Sequence, residues 1–465
     1  MINDAAGAPF PGVQLTLVNS TTHVERKAIS DAHGGFQFLQ LEPARWLLTA
    51  EAAGCKRLSL PVLVQVDQVT SVQVAMQLGV VTEAVEITEA VLPLLERGKS
   101  TLSAVKTEQT LSALPLNGRQ FLDLALLAPG VIPAAPGTQG NGFSSAGARS
   151  QSNVYLLDGI SNQDTQQNDA LNQFRITDAV QEFAVQISVP TAEFGRGSGG
   201  QVNVVTKTGS NQFHGSVFEY FRNTRLNAAD FFTNKLGGQK SVLNRNQFGA
   251  SLGGAIIPDR TFFFASYEGF RQVAPAVRST RVPTLAERAT VTDLISKRLL
   301  DYWPLPNATG TVNYIANVRN EDDDHTGSLR LDHKLGGRDQ LSGRWTEYRA
   351  SSFVGGTTPL TGGNQGEPLQ RSVMLSETHI FSSRFINEFR LGYSRNRQER
   401  EVQDFGVNAA TIFTDVSGKP LPGAVDAAKD PLNSGLPTIT VAGGYAGLGT
   451  NANFPQGRVS ATTEL

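Results

Sequence analysis

Long apolar runs, a second cysteine and an excess of charge of one sign are all missing from this sequence of 465 residues. Without a run of 18 apolar residues, the chain has no candidate for a membrane-spanning helix. Cys55 is the only cysteine, so no disulfide can form within the chain. The 40 basic and 42 acidic residues nearly balance, which argues against a nucleic acid as the partner.

The sequence is instead rich in glycine and phenylalanine, with 46 and 25 residues, and contains only 3 methionines. This composition favours a mainly β protein over a helical one. Membrane-spanning strands need only about ten alternating residues each and leave a weak hydropathy signal, so a membrane location stays open. Residues 1–4 have neither a basic segment nor an apolar core. We therefore expect the numbering to be that of a mature protein, or the chain to be a fragment.

Residues 1–79 alternate in polarity and are divided by turns, which predicts a small β-sandwich. Val13, Leu15 and Leu17 share one strand face, and the turn at residues 30–35 precedes a further strand. Together with the Ala-Gly-Cys turn at residues 53–55, this pattern resembles the carboxypeptidase regulatory-like domain. That resemblance implies a binding or spacer domain without peptidase activity, in a group of folds often linked to carbohydrate binding.

Residues 80–106 read as a linker that contains one segment in which acidic and apolar residues alternate. Such a segment can add as a strand to the sheet edge of a partner. It resembles a TonB box, which implies coupling to a TonB-type energy-transducing complex. The alternative is that it forms the last strand of the N-terminal sandwich. The predicted coupling residues are Glu83, Ala84, Val85, Glu86, Ile87 and Thr88.

Residues 107–212 contain the most informative patterns of the chain. The run Leu-Pro-Leu-Asn-Gly-Arg at residues 114–119 precedes a short apolar segment that predicts a buried helix. Three short β-type runs follow, and a glycine cluster separates the second from the third. In this order the pieces resemble the plug domain of TonB-dependent outer-membrane receptors of the Oar-like type, which implies a small α/β fold. The motif residues, for which we expect a structural role, are Asp158, Gly159, Gly195, Gly199, Gly200, Lys207 and Gly209.

Residues 213–465 alternate between apolar and polar residues in many strand-like segments. Phe385, Phe389 and Tyr393 fall on one face of such a segment, and polar or small residues fall on the other. This pattern predicts the first part of an antiparallel transmembrane β-barrel with short turns at one end and long loops at the other. An ordinary half-buried soluble sheet would alternate in the same way. We count roughly seven to nine candidate strands against about 22 in a plugged transporter, so we expect the barrel to be incomplete.

Motifs for enzymatic chemistry lack the context that they require. The spacing Gly195-x-Gly197-x-x-Gly200 matches a dinucleotide fingerprint, but a valine-rich strand follows where a helix is needed. Ser103 and Lys106, with the later Lys-Thr-Gly, imitate a serine acylase without its middle element. The six histidines have no zinc-ligand spacing, and the acidic run at residues 321–324 is a solvated loop more readily than a calcium site. We therefore predict no catalytic residue, no metal and no cofactor.

The resemblance as a whole implies a receptor in the bacterial outer membrane, with its N-terminal domain in the periplasm and membrane lipid around its barrel. It implies uptake of an unidentified extracellular ligand such as a siderophore, a glycan or a peptide. Residues 137–152 and 163–172 are the predicted ligand-contacting loops, chosen by their position. The alternative is a soluble or surface-attached β protein that binds carbohydrate or acts as an adhesin.

Overall fold

The computed structural model describes most of the chain, in thirteen stretches. They are residues 1–79, 84–86, 102–114, 116–135, 142–164, 170, 177–188, 195–229, 231–235, 240–360, 362–431, 434–449 and 456–464. Strands dominate, as predicted, and the helices are short. No helix in these stretches has the length and apolar character needed to cross a membrane.

The N-terminal residues form two sheets around one core, which we call the N-terminal sandwich. One sheet has the order β3-β2-β4-β5-β7, and β1 pairs with β6 in the other. Side chains from both sheets, among them Ile2, Leu15, Leu48 and Val74, pack in a common core, as the alternation predicts. The strands are β1 Ile2–Asn3, β2 Gln14–Asn19, β3 Glu25–Ile29, β4 Ala44–Glu51, β5 Arg57–Val64, β6 Val74–Ala75 and β7 Ala84–Glu86.

The next strands form a mixed sheet with the order β12-β11-β14-β13-β8, and we call this part the central domain. Only β11 and β14 are parallel. Phe121 and Phe183 pack ring to ring in its core, with centroids 5.2 Å apart. The strands are β8 Leu102–Thr107, β9 Val131–Pro133, β10 Phe143–Ser145, β11 Val154–Leu157, β12 Ile160–Ser161, β13 Val180–Ser188 and β14 Gln201–Thr206. The helices are α1 Glu108–Ala113 and three 3₁₀ helices, Phe121–Leu127, Ser150–Ser152 and Thr177–Ala179.

The apolar segment predicted as a buried helix forms the first of these 3₁₀ helices. Seven residues are too few for a stable isolated α-helix, so tight turns shaped by packing are sufficient here. Its residues Phe121, Leu124 and Ala125 are buried, as expected.

Nine later strands form one antiparallel sheet, which we call the wall. Its strands are β15 His214–Asn223, β16 Asn244–Ile257, β17 Thr261–Val273, β20 Asn320–Lys334, β21 Asp339–Val354, β22 Asn364–Gly366, β23 Leu369–Ser382, β24 Phe385–Val402 and β25 Gln456–Glu464. Residues 258–260, 335–338 and 383–384 are short turns at one end. The connections at the opposite end are long, as the sequence predicts.

The long connections contain their own elements and a shared core. The elements are β18 Ala276–Thr280, β19 Tyr314–Val318, α2 Phe231–Lys235, α3 Leu285–Thr290, α4 Leu294–Leu300 and α5 Ala409–Ile412. The segments before β20 and after β24 pack together through Trp303, Leu299, Ile412 and Leu448. We call this cluster the loop core.

The two faces of the wall have the opposite polarity from a soluble sheet. On β20 the residues Ser328 and Arg330 are buried, whereas Leu329 and Leu331 are exposed. The same inversion occurs on β24, where Phe385, Phe389 and Tyr393 are exposed. A soluble half-buried sheet would bury its apolar face, so this arrangement fits a wall with lipid outside and polar contacts inside.

Candidate functional site

The central domain packs against the polar face of the wall, and a turn with two positive-φ residues lies at the contact. Asp158 and Gly159 connect β11 to β12 with φ values of 48° and 76°, as in the two-residue turns of tight hairpins. Glycine suits the positive φ at the second position. A Cβ on Gly159 would lie 1.7 Å from Arg390 Nη1 on β24, the end of a flexible side chain that can shift. The predicted motif therefore brings its backbone directly against the wall.

The Asp158 carboxylate receives bonds from both sides of this contact. Within the central domain, the backbone N–H of Thr206 donates to Asp158 Oδ1 at 2.8 Å, and the Thr206 hydroxyl donates to Oδ2 at 2.9 Å. From the wall, Arg344 Nη1 donates to Oδ2 at 3.0 Å, and Arg330 Nη1 lies 3.6 Å from Oδ1. The side chains of Asp158, Arg344 and Arg330 are only 5%, 0% and 7% exposed. This buried ion-pair cluster links strands that are far apart in the sequence.

Arg330 extends the cluster to the N-terminal sandwich. Its Nη2 donates to Asp332 Oδ1 at 3.0 Å and to Glu42 Oε1 at 3.1 Å, and its Nη1 donates to the carbonyl of Thr206 at 2.9 Å. One guanidinium therefore contacts the wall, the central domain and the sandwich together. Buried charges are tolerated only when they are paired and hydrogen-bonded, and this geometry meets that condition.

A second contact between central domain and wall involves the Leu-Pro-Leu-Asn-Gly-Arg run. Arg119 lies 2.5 Å from Asp178 Oδ1 and 3.7 Å from Glu268 Oε1 of β17, and its guanidinium stacks over the ring of Phe218 at 4.2 Å. Gln247 Nε2 donates to Glu268 Oε1 at 2.5 Å. The planar, delocalised charge of arginine suits a site with two carboxylates and an aromatic face.

The glycine cluster packs closely against the start of β11. A Cβ on Gly199 or Gly200 would lie within 3 Å of Asn153 or Ser145, so close backbone packing explains both glycines. A Cβ on Gly195 would meet nothing within 4 Å, and nothing in the structure explains that residue. The strand β14 begins at Gln201, so the helix that a dinucleotide fingerprint requires does not follow Gly200.

The remaining motif residues also lie at contacts. Lys207 Nζ is 2.7 Å from Glu108 Oε1 of α1. A Cβ on Gly209 would lie 2.4 Å from the carbonyl oxygen of Phe263 on the wall. A structural role is consistent with both positions, and it stays a prediction.

The N-terminal sandwich contacts the central domain through a buried carboxyl. The backbone N–H of Val66 donates to Glu182 Oε1 at 2.7 Å, and Asn203 Nδ2 donates to Asp67 Oδ1 at 3.0 Å. Burial raises the pKa of Glu182 to about 7, the Val66 N–H opposes this, and the nearby Asp67 charge adds to it. This interface therefore contains a group that titrates near neutral pH.

The predicted coupling segment lies partly in the described residues. Ala84, Val85 and Glu86 form β7, which pairs in parallel with β5 at the end of the sandwich sheet. Glu83, Ile87 and Thr88 lie outside the described residues. Both interpretations of the sequence, a docking strand and a last sandwich strand, are compatible with an edge position.

The predicted ligand-contacting loops are only partly described. Residues 136–141, 165–169 and 171–176 lie outside the described residues. Within the described part, Phe143 and Ser145 of β10 are buried inside the central domain. They are therefore placed to support a loop, not to touch a ligand.

The loop core has a charged network at its surface. Arg281 Nη2 and the hydroxyl of Tyr445 each donate to Glu287 Oε1 at 2.6 Å. Together with the bonds from the N-cap residue Thr284, they lower the pKa of Glu287 to about 2, and the Tyr445 hydroxyl has the largest effect. The network connects the segment before β20 to the segment after β24.

The wall residues of these ion pairs were not assigned by sequence reasoning. The alternation placed Arg330 and Asp332 on the polar face, but Asp158 and Glu42, with which Arg330 also pairs, are more than 100 positions away. A charged residue on the inward face of a strand was the only signal available, since a buried charge requires a partner.

Comparisons with known proteins agree with this architecture. The sequence model of the family described as "Outer membrane beta barrel domain" matches residues 205–294 and 289–465, more than half of the chain. The model described as "Carboxypeptidase regulatory-like domain" matches residues 1–77.

One curated relative is the "TonB-dependent transporter Oar" of Myxococcus xanthus, which is 28% identical over 284 residues. That alignment covers 57% of this chain and 26% of the relative. The relative is described as a transporter, in agreement with the prediction of a protein without enzymatic activity.

Two solved structures superimpose on part of this chain. The outer membrane transporter YddB of Escherichia coli superimposes with a TM-score of 0.49 and 13% identity, over 65% of this chain and 40% of that chain. The siderophore receptor PirA of Acinetobacter baumannii gives a TM-score of 0.43 and 15% identity, over 69% of this chain and 42% of that chain. The matched part of this chain thus spans less than half the length of each of these three proteins.

Proposed function

This chain belongs to the outer membrane β-barrel domain family, and from that membership we propose that it acts in a TonB-dependent receptor that takes up a ligand across the bacterial outer membrane. The observation that carries the proposal is the buried ion-pair cluster of Asp158, Arg330 and Arg344. We infer that the wall is part of the barrel that surrounds a pore, and that the central domain is the plug that closes this pore.

The contacts between central domain and wall are suited to release. They include ion pairs and hydrogen bonds, which water can replace once the central domain moves, together with apolar contacts at Phe264 and Ile160. Mechanical force on the central domain can therefore open the pore without exposing a large hydrophobic surface. The exposed apolar face of the wall argues against the soluble adhesin as an alternative.

The position of the N-terminal sandwich supports a periplasmic location for it. The backbone N–H of Asn211 donates to Thr21, and His23 Nδ1 lies 2.9 Å from Asp259 in a short turn of the wall. In barrels of this class the short turns face the periplasm. The sandwich lies at this end and covers the exit of the proposed pore.

We propose that the coupling segment, Glu83, Ala84, Val85, Glu86, Ile87 and Thr88, docks on a TonB-type protein. Its described part, β7, is at the edge of the sandwich sheet. An edge strand offers unpaired backbone groups to which a partner can add a strand. The extracellular ligand is proposed only by class, as a siderophore, a glycan or a peptide, in contact with the loops of the opposite end.

A proline in the coupling segment tests this proposal. Val85→Pro removes a backbone N–H and should abolish strand addition. We expect the isolated periplasmic domain of a TonB protein to bind the detergent-solubilised full-length protein, and to lose this binding in Val85→Pro. Biolayer interferometry with the immobilised TonB domain measures it.

Val85→Ala is the matched control, because it shortens the side chain and keeps the N–H. It should bind the TonB domain as the wild type does. Equal binding of the wild type and Val85→Pro would remove this segment from the mechanism.

A further inference from the structure

Three side chains of the kinds that bind metal ions meet on the wall, next to its short-turn end. Asp339 is the first residue of β21, and Glu377 and His379 lie near the end of β23. The antiparallel register pairs Asp339 with His379, and alternation places Glu377 on the same face as His379. One ligand atom from each of the three side chains lies within 4.8 Å of the other two.

These side chains belong to the outward face of the wall. Glu377 follows Leu375 by two residues, and Leu375 is exposed among the apolar residues of that face. The register places Leu341 and Phe389 opposite Glu377 on the two neighbouring strands. Two carboxylates therefore stand among apolar side chains at the membrane rim.

The negative charge of the cluster is incompletely balanced by the protein. His379 Nδ1 lies 2.5 Å from Asp339 Oδ1, which gives Asp339 one hydrogen-bonding partner. Among the residues that the structure describes, Glu377 has no hydrogen bond or ion pair to another side chain. A carboxylate that lies beside lipid without a counter-charge costs free energy, so a bound cation would stabilise this site.

The surroundings hold the imidazole in place and leave the site accessible. The ring of Phe381 lies 4.2 Å from that of His379, edge to face, and Phe381 stacks on Phe385 at 4.8 Å. The side chains of His379 and Asp339 are about one-third exposed. An ion can reach them from the aqueous rim of the barrel without any rearrangement of the wall.

From this geometry we propose that Asp339, Glu377 and His379 bind one divalent transition-metal ion of the zinc type. Zinc bonds to imidazole nitrogen and carboxylate oxygen are about 2.0–2.2 Å long, so tetrahedral ligand atoms lie about 3.4 Å apart. Small side-chain rotations bring atoms now within 4.8 Å to that spacing. The imidazole selects zinc-like ions over Mg²⁺ and Ca²⁺, which prefer oxygen ligands alone.

The proposed ion joins β21 to β23 and neutralises the two carboxylates, and water completes its coordination. The site is independent of ligand uptake, because none of its residues contacts the central domain in the ion-pair clusters described above. Its role is to fix two adjacent strands at the membrane rim.

The test is a titration of the full-length protein, in detergent and without a polyhistidine tag, with Zn²⁺ alone after removal of metal by a chelator. Isothermal titration calorimetry should show one site per chain. Loss of a side chain that only supports a metal ligand lowers metal affinity by about 10- to 100-fold. His379→Ala and Glu377→Gln should each lower the Zn²⁺ affinity by more than this.

His325→Ala is the matched control. His325 Nε2 also lies 3.1 Å from a carboxylate oxygen, that of Asp323. Among the described residues, no third metal-binding side chain lies close enough to form a cluster with this pair. The loss of His325 should leave Zn²⁺ binding unchanged. A change in gel mobility on heating verifies that each variant is folded. If His379→Ala fails to fold, the Zn²⁺ affinity of Glu377→Gln, a nearly isosteric change, tests the proposal.

The proposal is overturned if the wild type binds no Zn²⁺, or if His379→Ala and Glu377→Gln bind it as tightly as the wild type. Equal losses in these variants and in His325→Ala would also overturn it, because the ion would then bind elsewhere or without specificity.

Discussion

Asp158 is the residue on which the contact between the central domain and the wall depends most. Arg330 has two further carboxylates, Asp332 and Glu42, whereas Asp158 is the carboxylate paired with Arg344. Arg344 is fully buried, and its other described hydrogen bond goes to the Ser372 hydroxyl. Loss of the Asp158 charge would therefore leave one buried guanidinium without an anion.

We predict that Asp158→Asn weakens the attachment of the central domain by about 3–5 kcal/mol, the range for a buried charge that loses its partner. Asparagine keeps one carbonyl oxygen that can accept the bond from the Thr206 N–H, so the turn itself should persist. In planar bilayers, the conductance of Asp158→Asn should rise at a lower urea concentration than that of the wild type, because urea detaches the central domain more easily and opens the pore.

Asp259→Asn is the control for this prediction, because Asp259 pairs with His23 at an exposed site where an ion pair contributes about 0–1 kcal/mol. It should open at the wild-type urea concentration. Indistinguishable opening of Asp158→Asn and wild type would contradict a structural role for the buried pair.

A second residue-scale prediction concerns pH. The pKa of Glu182 is raised from 4.5 to about 7 in the folded protein, so the folded state binds more protons than the unfolded state between these values. Stability at this interface therefore falls as the pH rises from about 4.5 to 7, by at most about 3 kcal/mol, and is constant above. Asp67 is the neighbouring charge that strengthens the effect.

Hydrogen exchange of the Val66 amide measures this dependence. After correction for the intrinsic exchange rate, wild-type protection should fall between pH 5 and pH 7.5. In Glu182→Gln, which keeps an acceptor for the Val66 N–H and does not titrate, protection should not change with pH. The same slope in both proteins would assign the effect to another group.

At the scale of the element, a wall strand such as β20 or β24 has one face for lipid and one polar face towards the central domain. Leu375 is in the middle of β23 and is 55% exposed, with Leu391 and Gly343 beside it. Leu335 lies in a short turn and is 52% exposed. These two leucines have nearly equal exposed fractions and differ in their depth in the membrane.

We predict that Leu375→Arg destabilises the inserted protein by about 2–4 kcal/mol, whereas Leu335→Arg costs about 0–1 kcal/mol, because the cost of a charge falls towards the interface. Insertion into vesicles followed by unfolding in guanidinium measures both. Equal effects of the two substitutions would mean that the outward face of β23 is not in contact with lipid.

Strand identity and facing could be predicted because they depend on local alternation. The pattern of Phe385, Phe389 and Tyr393 is sufficient to assign the outward face of β24. For the short apolar segment at residues 121–127, the pattern predicted a buried helix but not which type of helix. Its 3₁₀ geometry depends on packing in the central domain, which periodicity does not reveal.

At the scale of the whole molecule, the sandwich and the loop core lie at opposite ends of the wall. The loop core joins connections that are separated by more than 100 residues, and Trp303 is at its centre. The Trp303 indole N–H donates to the carbonyl of Ala446 at 2.8 Å. An ordered set of loops of this kind presents a defined surface, and we propose that it is the surface that contacts the ligand.

We predict that Trp303→Ala destabilises the loop core by about 3–5 kcal/mol, the usual cost of removing a buried tryptophan. The wall strands should remain folded, because they do not share this core. Proteinase K added to intact cells should cleave the loops faster, by about two to four orders of magnitude if cleavage follows local opening.

Val416→Ala serves as the control, since Val416 is 96% exposed and contributes little packing. Its loops should be cleaved at the wild-type rate. If Trp303→Ala also unfolded the wall, the loop core would be part of one cooperative unit with it.

The sequence alone determined the strands, their two faces and the turns, because these depend on local patterns, and the order of motifs over residues 107–212 carried the resemblance to plugged outer-membrane receptors. Only the tertiary structure decided which charges meet: Asp158 with Arg344 across the contact, and Asp339 with His379 across two strands. The physical reason is that ion pairing acts over a few ångströms between groups of any sequence separation. A buried charged residue on a strand face predicts that a partner exists, and the pairing of strands and the docking of domains determine which residue that partner is.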